Sequence, residues 1–372
     1  MDATHTKRVL VLQGGGALGA YQAGVYEVLE EAGFEPDWLA GTSIGAVNAA
    51  LIAGNPKGKR IDALKSFWQS VSATLPLAVP FQNTKLRALI SEGNAAWIAA
   101  TGVPGFFVPR VLSPYFAPPG SDGAVSFYDT SPLKATLESL VDFDRINAKE
   151  IRLSLGAVDV ESGELRFFDN EMQKIGPAHI MASGALPPGF PPVEVDGRYY
   201  WDGGVVSNTP VGHVLSENPR GDLLIFQVDL FNAKGALPRT ILDAAEREKD
   251  IRYSSRTRHN VHTTLELHEA RMALRALLDV LPETLRNDRH TRLLRELAEE
   301  HCVRVVQLIY RRKPYEGSAK DYEFSRATME EHWQAGIADA RHALRDPDAM
   351  RCKPTKHMEI IDSTRTSEPH DT

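Results

Sequence analysis

Gly41-Thr42-Ser43-Ile44-Gly45 sets a serine between glycines, directly after a short apolar run beginning at Trp38 and before an Ala-rich run over 46–53. Strand, sharp turn and helix in that order make a nucleophile elbow, which lifts the hydroxyl clear of the backbone. Such a hydroxyl is a weak nucleophile until a base takes its proton and donors meet the charge developing on the attacked carbonyl. Gly41 and Gly45 allow the turn and let the following helix pack closely. A helix starting at Ile44 aims its free N–H groups and the positive end of its dipole at the same point. The same five residues also read, more plainly, as a tight turn carrying an ordinary serine.

Two further stretches supply what that serine would need. Gly14, Gly15 and Gly16, with Gly19 close behind, follow the apolar run Val9–Leu12 and precede a helix-compatible segment over 20–31. Consecutive glycines let backbone N–H groups line a concavity fit for a phosphate or an oxyanion. A dinucleotide fold is a poor match, because Glu30 and Glu31 come too early for a ribose contact, and no GxxxxGK[ST] occurs. Asp202, at the end of a strand-like run and followed by Gly203 and Gly204, is the candidate general base for Ser43. Read without chemistry, Asp202-Gly203 is a common turn. His179 and His213 lie where a Ser-His-Asp triad would want its histidine, but only 42 residues precede Ser43, too few for the strands that come before the elbow of an α/β-hydrolase.

The elements that must position these residues are legible in outline. Helices are predicted over 61–73, 133–140, 179–185 and 325–344, with one or two more within 84–101. Strands are predicted over 151–159 and 164–168, as a hairpin over 193–201 turning at Asp196-Gly197, and over 223–230 and 303–311, the last returning to the main sheet. Residues 74–128 form a Pro- and aromatic-rich insertion suited to a lid or acyl-binding wall, with Gly105–Arg110 fit for a lipid surface or, more plainly, a satellite core. Residues 238–294 read as two or three amphipathic helices with Leu274, Leu277, Leu278 and Leu281 at helical spacing. The basic group Arg247, Lys249, Arg252, Arg256 and Arg258 suits an anionic headgroup or a solvated face.

With 372 residues, 42% of them hydrophobic and 24% charged, the chain has the composition of a globular protein with ample core. A net charge of −7 argues against nucleic acid as a partner. Two cysteines, Cys302 and Cys352, read as reduced structural thiols. The apolar run before the glycines is too short for a signal-peptide core and no stretch reads as a membrane span, so the expected location is cytoplasmic, with peripheral membrane contact through the insertion.

GGGALG at 14–19, GTSIG at 41–45 and DGG at 202–204, in that order and with SGALPPGFPPV at 183–193 between the last two, resemble the patatin-like phospholipases of bacteria. The resemblance covers roughly residues 7–232. It implies a three-layer α/β/α sandwich with a mixed, mostly parallel sheet, here followed by a helical C-terminal extension over 233–345 and a disordered tail over 346–372. It also implies a Ser43–Asp202 dyad, an oxyanion hole at Gly14, Gly15 and Gly16, and hydrolysis of lipid acyl esters through an acyl-enzyme, with no cofactor and no metal. One departure stands out: Leu18 occupies a position that is usually Lys or Arg in the family, which removes a positive charge near the site. An acyltransferase or thioesterase using the same dyad, and a non-catalytic lipid-binding scaffold, are the alternative functions. Acyl length, headgroup and oligomeric state are not legible.

Overall fold

The computed structural model describes residues 6–72, 84–217, 222–286, 288–298, 302–311, 316, 319–346, 350 and 358–362. In chain order the first half runs β1 (Lys7–Leu12), α1 (Gly19–Glu31), β2 (Trp38–Thr42), α2 (Ile44–Ala53), α3 (Arg60–Ser70), α4 (Thr84–Thr101), β3 (Val108–Pro109), β4 (Tyr128–Asp129), α5 (Ser131–Leu140) and α6 (Phe143–Asn147). The second half runs β5 (Arg152–Asp159), β6 (Leu165–Asp169), α7 (Pro177–Ser183), β7 (Val193–Val195), β8 (Arg198–Asp202), α8 (Val211–Ser216), β9 (Leu223–Asp229), α9 (Ile241–Asp279), α10 (Glu283–Arg286), α11 (Arg289–Leu297), β10 (Val303–Ile309), α12 (Arg326–Ala343) and β11 (Met358–Asp362).

The main sheet has the order β11-β10-β9-β1-β2-β5-β8-β7, with β6 on β5. From β11 to β5 every pairing is parallel, and β6, β8 and β7 add antiparallel strands, which makes the expected mixed sheet. Side chains of β1 alternate between faces as a strand's must. Leu10 and Leu12 enter the large core against α1, α2 and α12, while Val9 and Val11 enter a smaller one with Val211 and Val214 of α8. Helices therefore cover both faces.

The stretch expected to hold two or three helices holds three: Ile241–Asp279 is one 39-residue helix, begun by a Thr240–Asp243 capping box and interrupted by neither Gly nor Pro, and α10 and α11 follow as short helices. Two other features differ from expectation. Residues 358–362, inside the segment expected to be a disordered tail, form β11 parallel to β10; most of 346–372 lies outside the described residues. A five-residue edge strand carries too little pattern to stand out in a polar tail. Cys302, expected as a free thiol, is disulfide-bonded; two cysteines so far apart in sequence carry no spacing signal that would announce it.

The C-terminal helix α12 lies on α1 with almost no separation. A Cβ on Gly24 would sit 2.0 Å from the carbonyl oxygen of Trp333, and one on Gly336 would sit 2.1 Å from that of Tyr21. Only glycine permits this backbone-to-backbone approach. Gly336→Ala is expected to cost about 1–3 kcal/mol through overpacking, read as a lower Tm in thermal melting, whereas Gly33→Ala, which has open space but a positive φ, should cost less.

Candidate active site

The site is assembled on β5. Thr42, the last residue of β2, pairs with Gly156, and Asp202, the last residue of β8, pairs with Ala157 on the same edge of β5. The parallel strand thus ends where the antiparallel one arrives, and consecutive residues of β5 hold the two strand ends side by side. Close packing there requires glycine, since a Cβ on Gly203 would lie 2.6 Å from the Gly156 carbonyl oxygen.

Ser43 turns out of β2 with φ 57° and ψ −125°, a strained conformation for a residue with a side chain and the one an elbow demands. Gly41 and Gly45 are needed as expected: a Cβ on Gly45 would sit 2.3 Å from the Leu12 carbonyl oxygen, and one on Gly41 2.5 Å from that of Gly45. The Ser43 N–H donates to both the carbonyl (3.0 Å) and the hydroxyl (3.1 Å) of Ser183, whose own hydroxyl donates to the Gly156 carbonyl at 2.6 Å. Ser183 therefore fastens the elbow to β5. Ser183 opens the SGALPPGFPPV segment already noted in the sequence, where it carried no role of its own.

The Asp202 carboxylate accepts the Gly204 N–H at 2.7 Å and lies beside the Ser43 hydroxyl. Asp202 is 2% exposed. Burial pushes its pKa up to about 6, against the lowering effect of the Ser43 hydroxyl and the Gly204 N–H.

The glycine loop differs from expectation in one donor. The Gly14 N–H is used by the Asn208 carbonyl at 3.1 Å, while Asn208 Nδ2 donates back to the Gly14 carbonyl at 2.9 Å. Gly14 is consequently a fastening point, and a Cβ there would collide with Asn208 and crowd Ser43. Gly15 and Gly16 border the pocket without such a backbone acceptor among the described residues. Gly19 has its place in packing, where a Cβ would meet Ile44 and Trp68. Gln13, fully buried and missed in sequence, ties the loop to three segments: Nε2 donates to Thr209 Oγ1 (2.8 Å) and to the Tyr253 carbonyl (3.2 Å), while Oε1 accepts from the N–H groups of Leu230 and Phe231.

Ser43, Asp202 and Gly14–Gly16 open into one cavity of about 510 Å³. Ile98, Phe106, Phe107, Leu133, Leu186 and Phe190 give it an apolar wall. Phe106 and Phe107, in a segment read as fit for a lipid surface or for a satellite core, take the core alternative and point inward at 8% and 5% exposure. Gly102, at φ +78°, lets the chain fold back so that Val103 bridges Phe107. The C-terminal part of the chain supplies Lys249, one of the basic group noted in the sequence, together with Tyr253, Asp321, Tyr322 and Phe324 to the same cavity. His179 and His213 do not line it: His179 Nδ1 accepts the Gly176 N–H at the start of α7, and the His213 ring stacks on Phe167 at 3.9 Å. Burial lowers the pKa of both.

Among the described residues no helix is long and apolar enough to cross a membrane, and no group of His, Cys, Asp or Glu is disposed to hold a metal ion. Of the basic group on α9, Arg247 donates to the carbonyls of Asn232 and Ala233, Lys249 pairs with Asp321, and Arg252 pairs with Glu248; the side chains of Arg256 and Arg258 lie outside the described residues.

Two family models match the chain: Patatin-like phospholipase over residues 10–215 and Patatin phospholipase over residues 251–356. The uncharacterized protein YqhO of Bacillus subtilis is 54% identical over 54 residues, 14% of this chain and 19% of YqhO. Lysophospholipase NTE1 of Candida glabrata is 27% identical over 240 residues, 62% of this chain and 11% of NTE1. The alignments thus span under a fifth of either relative. Among solved structures, VipD from Legionella pneumophila aligns over 91% of this chain and 67% of its own at 15% identity, with a TM-score of 0.39.

Since the Asp202 pKa rises on folding from 3.8 to about 6, the folded protein favours the protonated acid. That contribution to stability is complete below pH 3.8 and lost as the pH rises through about 6. At one pKa unit per 1.36 kcal/mol, the buried anion costs on the order of 3 kcal/mol above that range. Asp202→Asn, which keeps the shape without the charge, is expected to melt above the parent at pH 8 and level with it near pH 4.

Proposed function

The chain belongs to the patatin-like phospholipase family, and from that premise we propose that it is a serine acyl hydrolase acting on lipid carboxylic esters through a Ser43–Asp202 dyad. The observation that carries this reading is an elbow serine set beside a buried carboxylate at the head of a largely apolar cavity. Asp202 takes the hydroxyl proton as Ser43 Oγ bonds to the ester carbonyl carbon. The oxyanion that forms is met by the N–H groups of Gly15 and Gly16. Its collapse breaks the carbon–oxygen bond to the alcohol, which leaves with the proton from Asp202. Water then attacks the acyl-serine, Asp202 again accepting a proton, and the fatty acid departs as Ser43 regains its hydrogen. The raised pKa of Asp202 serves this role, since a carboxylate made more basic by burial accepts a proton more readily.

The apolar wall suits an acyl chain. The segment carrying its Phe106 and Phe107 also exposes Val111, Leu112, Tyr115 and Phe116, which suit peripheral contact with a lipid surface.

A fluorophosphonate probe is expected to modify Ser43 in the parent and nothing in Ser43→Ala, with the labelled peptide located by mass spectrometry. Asp202→Asn should slow labelling and ester turnover by about 10²–10⁴-fold, the range for loss of a positioned base. In the parent, kcat/KM should fall about tenfold per pH unit below about 6, because the base must be ionised. Unaltered labelling in Asp202→Asn, or a folded parent that is never labelled even with vesicles present, would overturn the reading.

A further inference from the structure

Lys249 and Tyr253 stand four residues apart on α9, and both border the cavity that holds Ser43. Residues at that spacing share a helix face, so α9 turns an ammonium and a phenol toward the site together. Lys249 is the one basic side chain in the described lining. Leu18, in the glycine motif itself, is fully buried in the apolar core and brings no charge to the pocket.

The position of the ammonium is closely fixed. It lies 2.8 Å from a carboxylate oxygen of Asp321 and 5.3 Å from the centre of the Tyr322 ring. Asp321 in turn sits on the glycine loop: its carbonyl accepts the Ala17 N–H at 2.8 Å and lies 2.0 Å from where a Cβ on Gly16 would be. A cation is thus joined through a single residue to the loop that borders Ser43. The pair is not sealed off, for the Lys249 and Asp321 side chains keep 24% and 18% exposure. Burial, and then the nearby carboxylates of Asp202 and Asp321, raise the Tyr253 pKa and keep its hydroxyl protonated as a donor.

We propose that Lys249 is the anion-recognising residue of this pocket, holding the phosphate of an ester substrate whose acyl carbonyl lies at Ser43, with the Tyr253 hydroxyl as a second donor. Asp321 occupies the ammonium when the pocket is empty and competes with the phosphate for it. The inference rests on the acyl-hydrolase reading above and narrows it to esters that carry a phosphate, with the C-terminal part of the chain reading the headgroup.

The test is steady-state kinetics on lysophosphatidylglycerol and on monoacylglycerol of the same acyl chain, reported as the ratio of their KM values. Lys249→Met should raise that ratio about tenfold, the scale of one lost charge-assisted hydrogen bond, and Lys249→Arg should restore most of it. Asp321→Asn should lower the ratio, because it removes the competing carboxylate. A pair that merely fastens α9 to the glycine loop would make Lys249→Met and Asp321→Asn act alike on both substrates, and that result, or an unmoved ratio in Lys249→Met, overturns the proposal. Inorganic phosphate as a competitive inhibitor, effective on the parent and not on Lys249→Met, would assign the site to free phosphate as well as to the headgroup; a moved ratio with inert phosphate would assign it to the headgroup alone. Fluorophosphonate labelling runs in parallel. Normal labelling with an unmoved ratio overturns this inference only, whereas a folded parent that is not labelled removes the hydrolase reading and this inference with it.

Discussion

Everything at the site depends on one edge of β5. That edge pairs first with β2 and then, from the next residue onward, with β8, so the ends of a parallel and an antiparallel strand meet at Gly156 and Ala157. Ser43 and Asp202, 159 positions apart in sequence, become neighbours because two consecutive residues of a third strand pair with Thr42, which Ser43 directly follows, and with Asp202. Adjacent Cα atoms of a strand are about 3.8 Å apart, and this fixed interval brings the hydroxyl within reach of the carboxylate. Moving β8 by one residue would turn Asp202 to the opposite face of the sheet.

The cost of this arrangement falls on Asp202, which is held in a place where its charge is poorly solvated. Elsewhere around the site buried polar groups are paired carefully: Gln13 through both ends of its amide, Asn208 reciprocally with Gly14, Ser183 between the elbow and β5. Each of these pairings fixes backbone. These pairings hold the segments around Ser43 in place and so help the elbow keep its strained dihedral angles.

Much of the N-terminal part of the chain was legible because its residue types are forced by geometry. Gly41, Gly45 and Gly203 sit where any side chain would strike backbone, and Ser43 and Asp202 border them. The strands β1, β2, β5 and β9 announced themselves as apolar runs fully buried in a parallel sheet. What sequence could not give is which glycine amide is already spoken for, since the claim of Asn208 on Gly14 is a tertiary contact across 194 residues. The inward turn of Phe106 and Phe107 was equally hidden, because a Phe-Phe pair in a Pro-rich loop reads the same whether it faces lipid or core. The wall formed by Tyr253, Tyr322 and Phe324 was hidden for another reason: helix α9 and the 319–324 segment carry no motif and reach the pocket only once β10 has joined β9.

The placement of β1 has a further consequence, for the time course of folding. This first strand lies mid-sheet, with β2 on one side and β9 on the other, and its loop is fastened by Gln13 to Leu230 across 217 residues and by Ala17 to Asp321. Contacts so distant in sequence close late, because loop closure must precede any gain from the contact. A chain emerging from the ribosome can form the β1-α1-β2-α2 unit early, but Gly15 and Gly16 are held in place only after residue 321 has been made. An elbow serine can exist on an unfinished chain; the contacts around Gly15 and Gly16 cannot, so the site is assembled only with completion of the fold.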